Sequence, residues 1–177
     1  MRLRLQDIVV SLFLTLIILA VAEIFMTTVS QLVGLERFRL QLNILIILFV
    51  ALKLENPFLA IIIFIVQYFH SLFSIEGWAM GTVAGVLISV IVSYARDIIQ
   101  FSNAVATMLI VQISQMIWFV IIAILMYIRS GSSDLVVDKL WRFIPESIVL
   151  SLLAPVVFNV LELLWKKRNQ NILGEAE

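Results

Sequence analysis

From Ile98 to Ile128 the chain runs for 31 residues without an Asp, Glu, Lys or Arg. A helix rising 1.5 Å per residue needs about 20 apolar residues to cross roughly 30 Å of hydrocarbon. The stretch is therefore long enough to span a bilayer with strong tilt. The other apolar stretches follow the same pattern. Ile8–Leu35 is interrupted only by Glu23, Phe58–Ile75 and Gly77–Ala95 carry no such charge, and Ser147–Trp165 holds only Glu162. Leu40–Leu52 is shorter, but Arg39 and Lys53 flank it and can snorkel outward, extending the usable segment to Phe38–Leu54. A stretch of this length is also compatible with a re-entrant segment. The expectation is an all-α membrane protein, one polytopic domain with six transmembrane helices in one bundle over 8–33, 38–54, 57–75, 77–95, 98–128 and 147–165. At 63% hydrophobic and 14% charged residues, the composition is far from that of a soluble domain, which is about 25% charged.

Charge placement suggests the orientation. Putting both termini in the cytoplasm requires an even number of crossings, and six satisfies it. That arrangement leaves 7 Lys and Arg inside (Arg2, Arg4, Lys53, Arg96, Lys166, Lys167, Arg168) and 5 outside, a modest bias of the right sign. The N-terminus has two arginines, an apolar run and Ala20-Val21-Ala22, but the run stays apolar to Leu35, so a retained span is expected over a cleaved signal peptide. Twelve basic residues balance twelve acidic ones, leaving no surplus to hold a nucleic-acid backbone. Without cysteine there is no disulfide, thiol catalysis or thiolate metal site, and the single histidine, His70, cannot build a histidine-rich metal centre.

Ionisable and amide groups inside the apolar stretches each need a physical reason. Glu162 has one in Lys166, four residues on, the favourable order for a salt bridge at a helix end. Glu23 has no cation within four residues on its own helix. Its charge must be neutralised by protonation or matched by a group on another helix, and a coupling carboxylate for transport is the functional alternative. Gln67 and His70, Gln112 and Gln115, and Asn159 and Glu162 are each spaced i,i+3, so each pair shares a helix face. These faces are expected to point inward, as hydrogen-bonding contacts between helices or, alternatively, as the walls of a ligand pocket.

Gly81, Gly85, Ser89 and Ser93 recur every four residues, a small-xxx-small ladder that lets helix backbones approach closely, within this chain or against a partner. Pro155 is expected to kink the last span. Residues 130–146 form the longest polar piece and are placed as an outer loop. There Leu135, Val136, Leu140, Trp141 and Ile144 fall at helical spacing, suiting a short interfacial helix capped by Ser132 or Ser133. This helix either lies on its own bundle or offers Leu140, Trp141 and Ile144 to a partner. Trp78 and Tyr127 near the outer face, and Tyr94 and Trp165 near the inner one, read as interfacial anchors.

No HExxH, GxSxG, Walker-type or EF-hand pattern is present, and no serine in a span has a locally spaced activating base, so an enzyme is not expected. Nor is a cofactor. Asn43–Leu52 followed by Pro57, Gly77 opening the fourth span, and Ser151-Leu152-Leu153-Ala154-Pro155-Val156-Val157-Phe158 in the last are similar in order and spacing to the MreD family of rod-shape-determining membrane proteins. The chain departs from that family in the third span, where Gln67 and His70 stand in place of a Gly and an Asp. The resemblance implies a non-enzymatic scaffold of cell-wall elongation in the bacterial inner membrane, with a single-pass MreC-like partner, the MreB cytoskeleton and a RodA–transpeptidase synthase as associates. It also implies a fold similar to the substrate-binding subunits of energy-coupling-factor transporters. A solute-binding subunit is thus the rival function. The Ala-xxx-Ala docking motif that such subunits carry on their first helix is missing between Ile8 and Leu35.

Overall fold

The computed structural model describes residues 5–33, 40–53, 58–73, 78–95 and 104–173. These form six helices: α1 (Leu5–Val33), α2 (Leu42–Lys53), α3 (Leu59–Ser71), α4 (Trp78–Ala95), α5 (Ala104–Ser130) and α6 (Asp134–Leu173). Three contain segments long and apolar enough to cross a membrane, Ile8–Val29, Ala104–Ser130 and Asp134–Trp165. The apolar segments Leu42–Leu52, Leu59–Ser71 and Trp78–Tyr94 are shorter. Large apolar side chains are exposed along the long helices, among them Phe13, Ile17 and Phe25 on α1, Leu109, Ile113 and Val120 on α5, and Leu152, Val156 and Leu163 on α6. Apolar faces of this extent suit contact with lipid. The chain is a helical protein built for membrane association.

The shortest helix sits in the middle. Every residue from Asn43 to Leu52 is buried, and α2 packs on each of the other five helices. Its sequence explains this: from Ile44 to Leu52 every residue is apolar, and a helical segment with no polar face is stable only when enclosed. Consecutive helices run antiparallel. The start of α2, the end of α3, the start of α4, the end of α5 and the start of α6 all line one cavity at one end of the bundle.

The principal correction concerns 130–146. This segment is not a loop: only Gly131, Ser132 and Ser133 separate α5 from α6, and α6 is one continuous helix of 40 residues. Gly131 takes a positive φ of 65°, which glycine adopts without a Cβ clash, and its N–H donates to Tyr127 O. Ser132 Oγ accepts from the Asp134 N–H at 3.2 Å, tying down the start of α6. Pro145 and Pro155 both lie inside the helix.

Candidate functional site

The small-residue ladder brings α4 close to its neighbours. A Cβ on Gly85 would lie 2.7 Å from Ile63 Cγ2 of α3 and 3.4 Å from the Trp118 ring of α5. One on Gly81 would lie 2.5 Å from Gln67 Oε1. Ser89 is buried and Ser93 half-buried, and their hydroxyls donate to Val86 O and Val90 O on their own helix. Both glycines of the ladder thus face the inside of this chain.

That close approach shapes the floor of a cavity of about 510 Å³. Its floor carries Asn43, Gln67 and His70, with Gly81 beside them. Asn43 Nδ2 donates to Gln67 Oε1 at 3.3 Å. His70 Nδ1 and Glu23 Oε1 are 2.8 Å apart in a buried hydrogen bond between α3 and α1. Glu23, which the sequence leaves without a neighbour on its own helix, is therefore matched by the histidine of another. Among the described residues Asn43 Oδ1 and Gln67 Nε2 have no hydrogen-bond partner, although both residues are 2% exposed. Each such group costs about 1–3 kcal/mol when left unmade. Trp118, Ile122 and Met126 of α5 supply apolar wall, and Arg129 of α5 and Lys139 of α6 stand where those helices end and begin.

A second polar cluster seals α5 against α6. Gln112 Nε2 donates to Ser147 Oγ at 3.2 Å, Ser151 Oγ donates to Gln112 Oε1 at 2.6 Å, and Gln115 Nε2 donates to Ser151 Oγ at 3.2 Å. Phe119 and Phe143 stack across the same seam, with centroids 4.5 Å apart. At the opposite end of the bundle Trp165 Nε1 donates to Thr15 Oγ1 at 3.3 Å.

Several expectations change here. Asn159 is exposed rather than inward-facing, because α6 turns Phe158 and Leu161 to the core and Asn159 falls between them. Glu162 is half-buried, and the side chain of Lys166 lies outside the described residues. Trp165 is buried in the α1–α6 contact and does not anchor an interface, whereas Trp78, Tyr94 and Tyr127 are exposed. The side of early α6 that meets the bundle is Val136, Phe143 and Ser147, while Leu140, Trp141 and Ile144 face outward. Arg2, Arg4, Arg37, Arg96 and the snorkelling Arg39 of the charge count lie outside the described residues, as do the side chains of Lys53, Lys166, Lys167 and Arg168.

Sequence reasoning passed over Asn43, Trp118, Arg129 and Lys139 as cavity residues. Asn43 falls inside the apolar second stretch, and the two cations count as outer charges, until the antiparallel packing gathers them. Ser147 and Ser151 had a usable signal, since their i,i+4 spacing complements the i,i+3 pair Gln112 and Gln115. Among the described residues, no three His, Asp or Glu side chains gather as a metal site would require. Comparison with protein families, curated proteins and solved structures gave no match.

Proposed function

We propose that this chain is a non-enzymatic, six-span protein of the bacterial inner membrane, both termini cytoplasmic, that serves cell-wall elongation and cell shape by docking an MreC-like single-pass partner. The resemblance in order and spacing over Asn43–Trp165 motivates the reading. The observation that carries it is the exposed apolar stripe at the start of α6. A helix of 40 residues runs about 60 Å, twice the hydrocarbon thickness. Asp134, Asp138, Lys139, Arg142 and Glu146 crowd its first thirteen residues, so this part belongs outside the hydrocarbon. Yet Val137, Leu140, Trp141 and Ile144, spaced i, i+3, i+4 and i+7, are exposed at 51%, 40%, 73% and 47%. Apolar groups arranged so beside an Asp138–Arg142 pair form a rimmed surface of the kind a partner helix or strand covers. Crosslinking in native membranes followed by co-purification should recover an MreC-like protein, and Trp141→Ala should reduce the yield by tenfold or more. Recovery of no wall-synthesis partner defeats the reading.

A second reading, the solute-binding subunit of a small-molecule transporter, is supported by the cavity with its unmatched amides. Saturable binding of a small molecule by the purified protein tests it, and a protein that retains and binds none rejects it.

A further inference from the structure

Deepening the solute-binding reading, on which it rests, we infer that His70 is the recognition residue of the cavity and that its solute is a small neutral aromatic molecule whose hydroxyl or N–H donates to Nε2. The imidazole is held from behind. Its Nδ1 meets Glu23 Oε1 at 2.8 Å, and the two side chains are 8% and 1% exposed. An Nδ1–H given to the carboxylate leaves the lone pair on the other nitrogen. Among the described residues Nε2 makes no hydrogen bond, and it is not one of the sealed side-chain atoms without a partner. The open part of a ring that lines the cavity therefore includes this nitrogen. A solute does not reach the unmatched atoms Asn43 Oδ1 and Gln67 Nε2, which have essentially no accessible surface. It does reach His70.

Helix register places an apolar surface at the height of the imidazole. A Cβ on Gly85 would approach both Ile63 of α3 and Trp118 of α5, so these two residues share a level. From that level α3 and α5 run the same way toward the cavity, and His70 and Met126 each lie about two turns further on. Met126 thus stands level with His70, and Trp118 and Ile122 line the cavity from the same face of α5. Indole, branched aliphatic and thioether groups suit the face and edge of an aromatic ring. The charged lining residues Arg129 and Lys139 lie further out, where α5 ends and α6 begins. A net charge brought to the floor would sit beside an ionisable pair that is already matched, and it would be left uncompensated. A neutral donor on a ring avoids that cost, and about 510 Å³ leaves room for one.

His70 is the single histidine of the chain, so nitrogen-labelled histidine reports this ring alone. The full chain in phosphatidylcholine nanodiscs at neutral pH is titrated with para-ethylphenol, whose hydroxyl, titrating at about pH 10, is uncharged there. In the free protein the nitrogen spectrum should show Nε2 bare and Nδ1 bearing hydrogen. The phenol should shift Nε2 saturably and bind at least tenfold tighter than para-ethylanisole, which keeps the ring and lacks the donor. It should also bind tighter than the para-ethylbenzoate anion. Glu23→Leu with His70→Phe, which replaces the pair by an apolar contact, should remove the preference for phenol over anisole in equilibrium dialysis corrected with empty nanodiscs. The wild-type spectrum and the three wild-type affinities stand without that variant. A hydrogen on Nε2 in the free protein overturns the acceptor assignment, and tighter binding of the benzoate overturns the neutral solute. Equal binding of phenol and anisole, or a preference that survives the double change, overturns the role of His70 and leaves a solute-binding subunit standing. No saturable binding of any of the three probes removes both the inference and the solute-binding reading.

Discussion

At the scale of single residues, Glu23 and His70 show how an ionisable pair is held inside an apolar bundle. Each is buried, and each meets the other at 2.8 Å across two helices. Removing one member strands the other in a medium that cannot solvate it, whereas removing both restores a uniform apolar contact. Glu23→Ala should therefore destabilise the protein by about 3–5 kcal/mol, and Glu23→Leu combined with His70→Phe by much less. Reversible unfolding in mixed micelles measures both. The two glycines of α4 should also part company. Gly85→Ala places a methyl against Ile63 Cγ2, a branch that cannot swing away, and should cost about 1–3 kcal/mol in the same assay. Gly81→Ala meets the tip of the Gln67 side chain, which can rotate, so its cost should be smaller and fall mainly on the Asn43–Gln67 hydrogen bond. The small-residue spacing on α4 was legible in the sequence. Which helix it would touch was not, because spacing along one helix carries no information about the neighbour across the gap.

At the scale of helices, α5 and α6 form the best-connected pair. Lipid gives two apolar helices no hydrophobic reason to associate, so the Gln112, Gln115, Ser147 and Ser151 network and the Phe119–Phe143 stack supply specific contact instead. Ser151 serves both glutamines, and Ser151→Ala should cost about 0.6–1.7 kcal/mol, read as a lower unfolding midpoint in micelles. The same seam explains two misplaced expectations. Periodicity predicted a helix within 130–146 but not its continuation into the last span, since that segment was read as an outer loop separate from Ser147–Trp165. Asn159 was placed inward by its spacing to Glu162, but the register of α6 is set by Phe158 against Phe49 and by Trp165 against Thr15, and that register turns Asn159 out.

At the scale of the whole molecule, crossing number is the property most open to direct measurement. The chain has no cysteine, so single cysteines report position without background. With six crossings, Arg4→Cys and Lys167→Cys should both be labelled by a membrane-impermeant maleimide only in inverted vesicles, and Ser132→Cys only in spheroplasts. If α1, α5 and α6 alone cross, the two termini lie on opposite sides and the labelling of the end residues splits. The sequence by itself determined that this chain lives with lipid, because long stretches without charge have no other stable home. It also determined that the structure is helical, because only helices and closed barrels satisfy their own backbone there. It marked Glu23, Gln67, His70, Gln112 and Gln115 as groups in need of partners. Tertiary packing alone decided who those partners are, that the shortest apolar helix is enclosed by the other five, and that five helix ends gather into one cavity. The reason is physical: hydropathy is a property of each segment against its solvent, whereas a hydrogen bond or a cavity belongs to a pair of surfaces that only packing brings face to face.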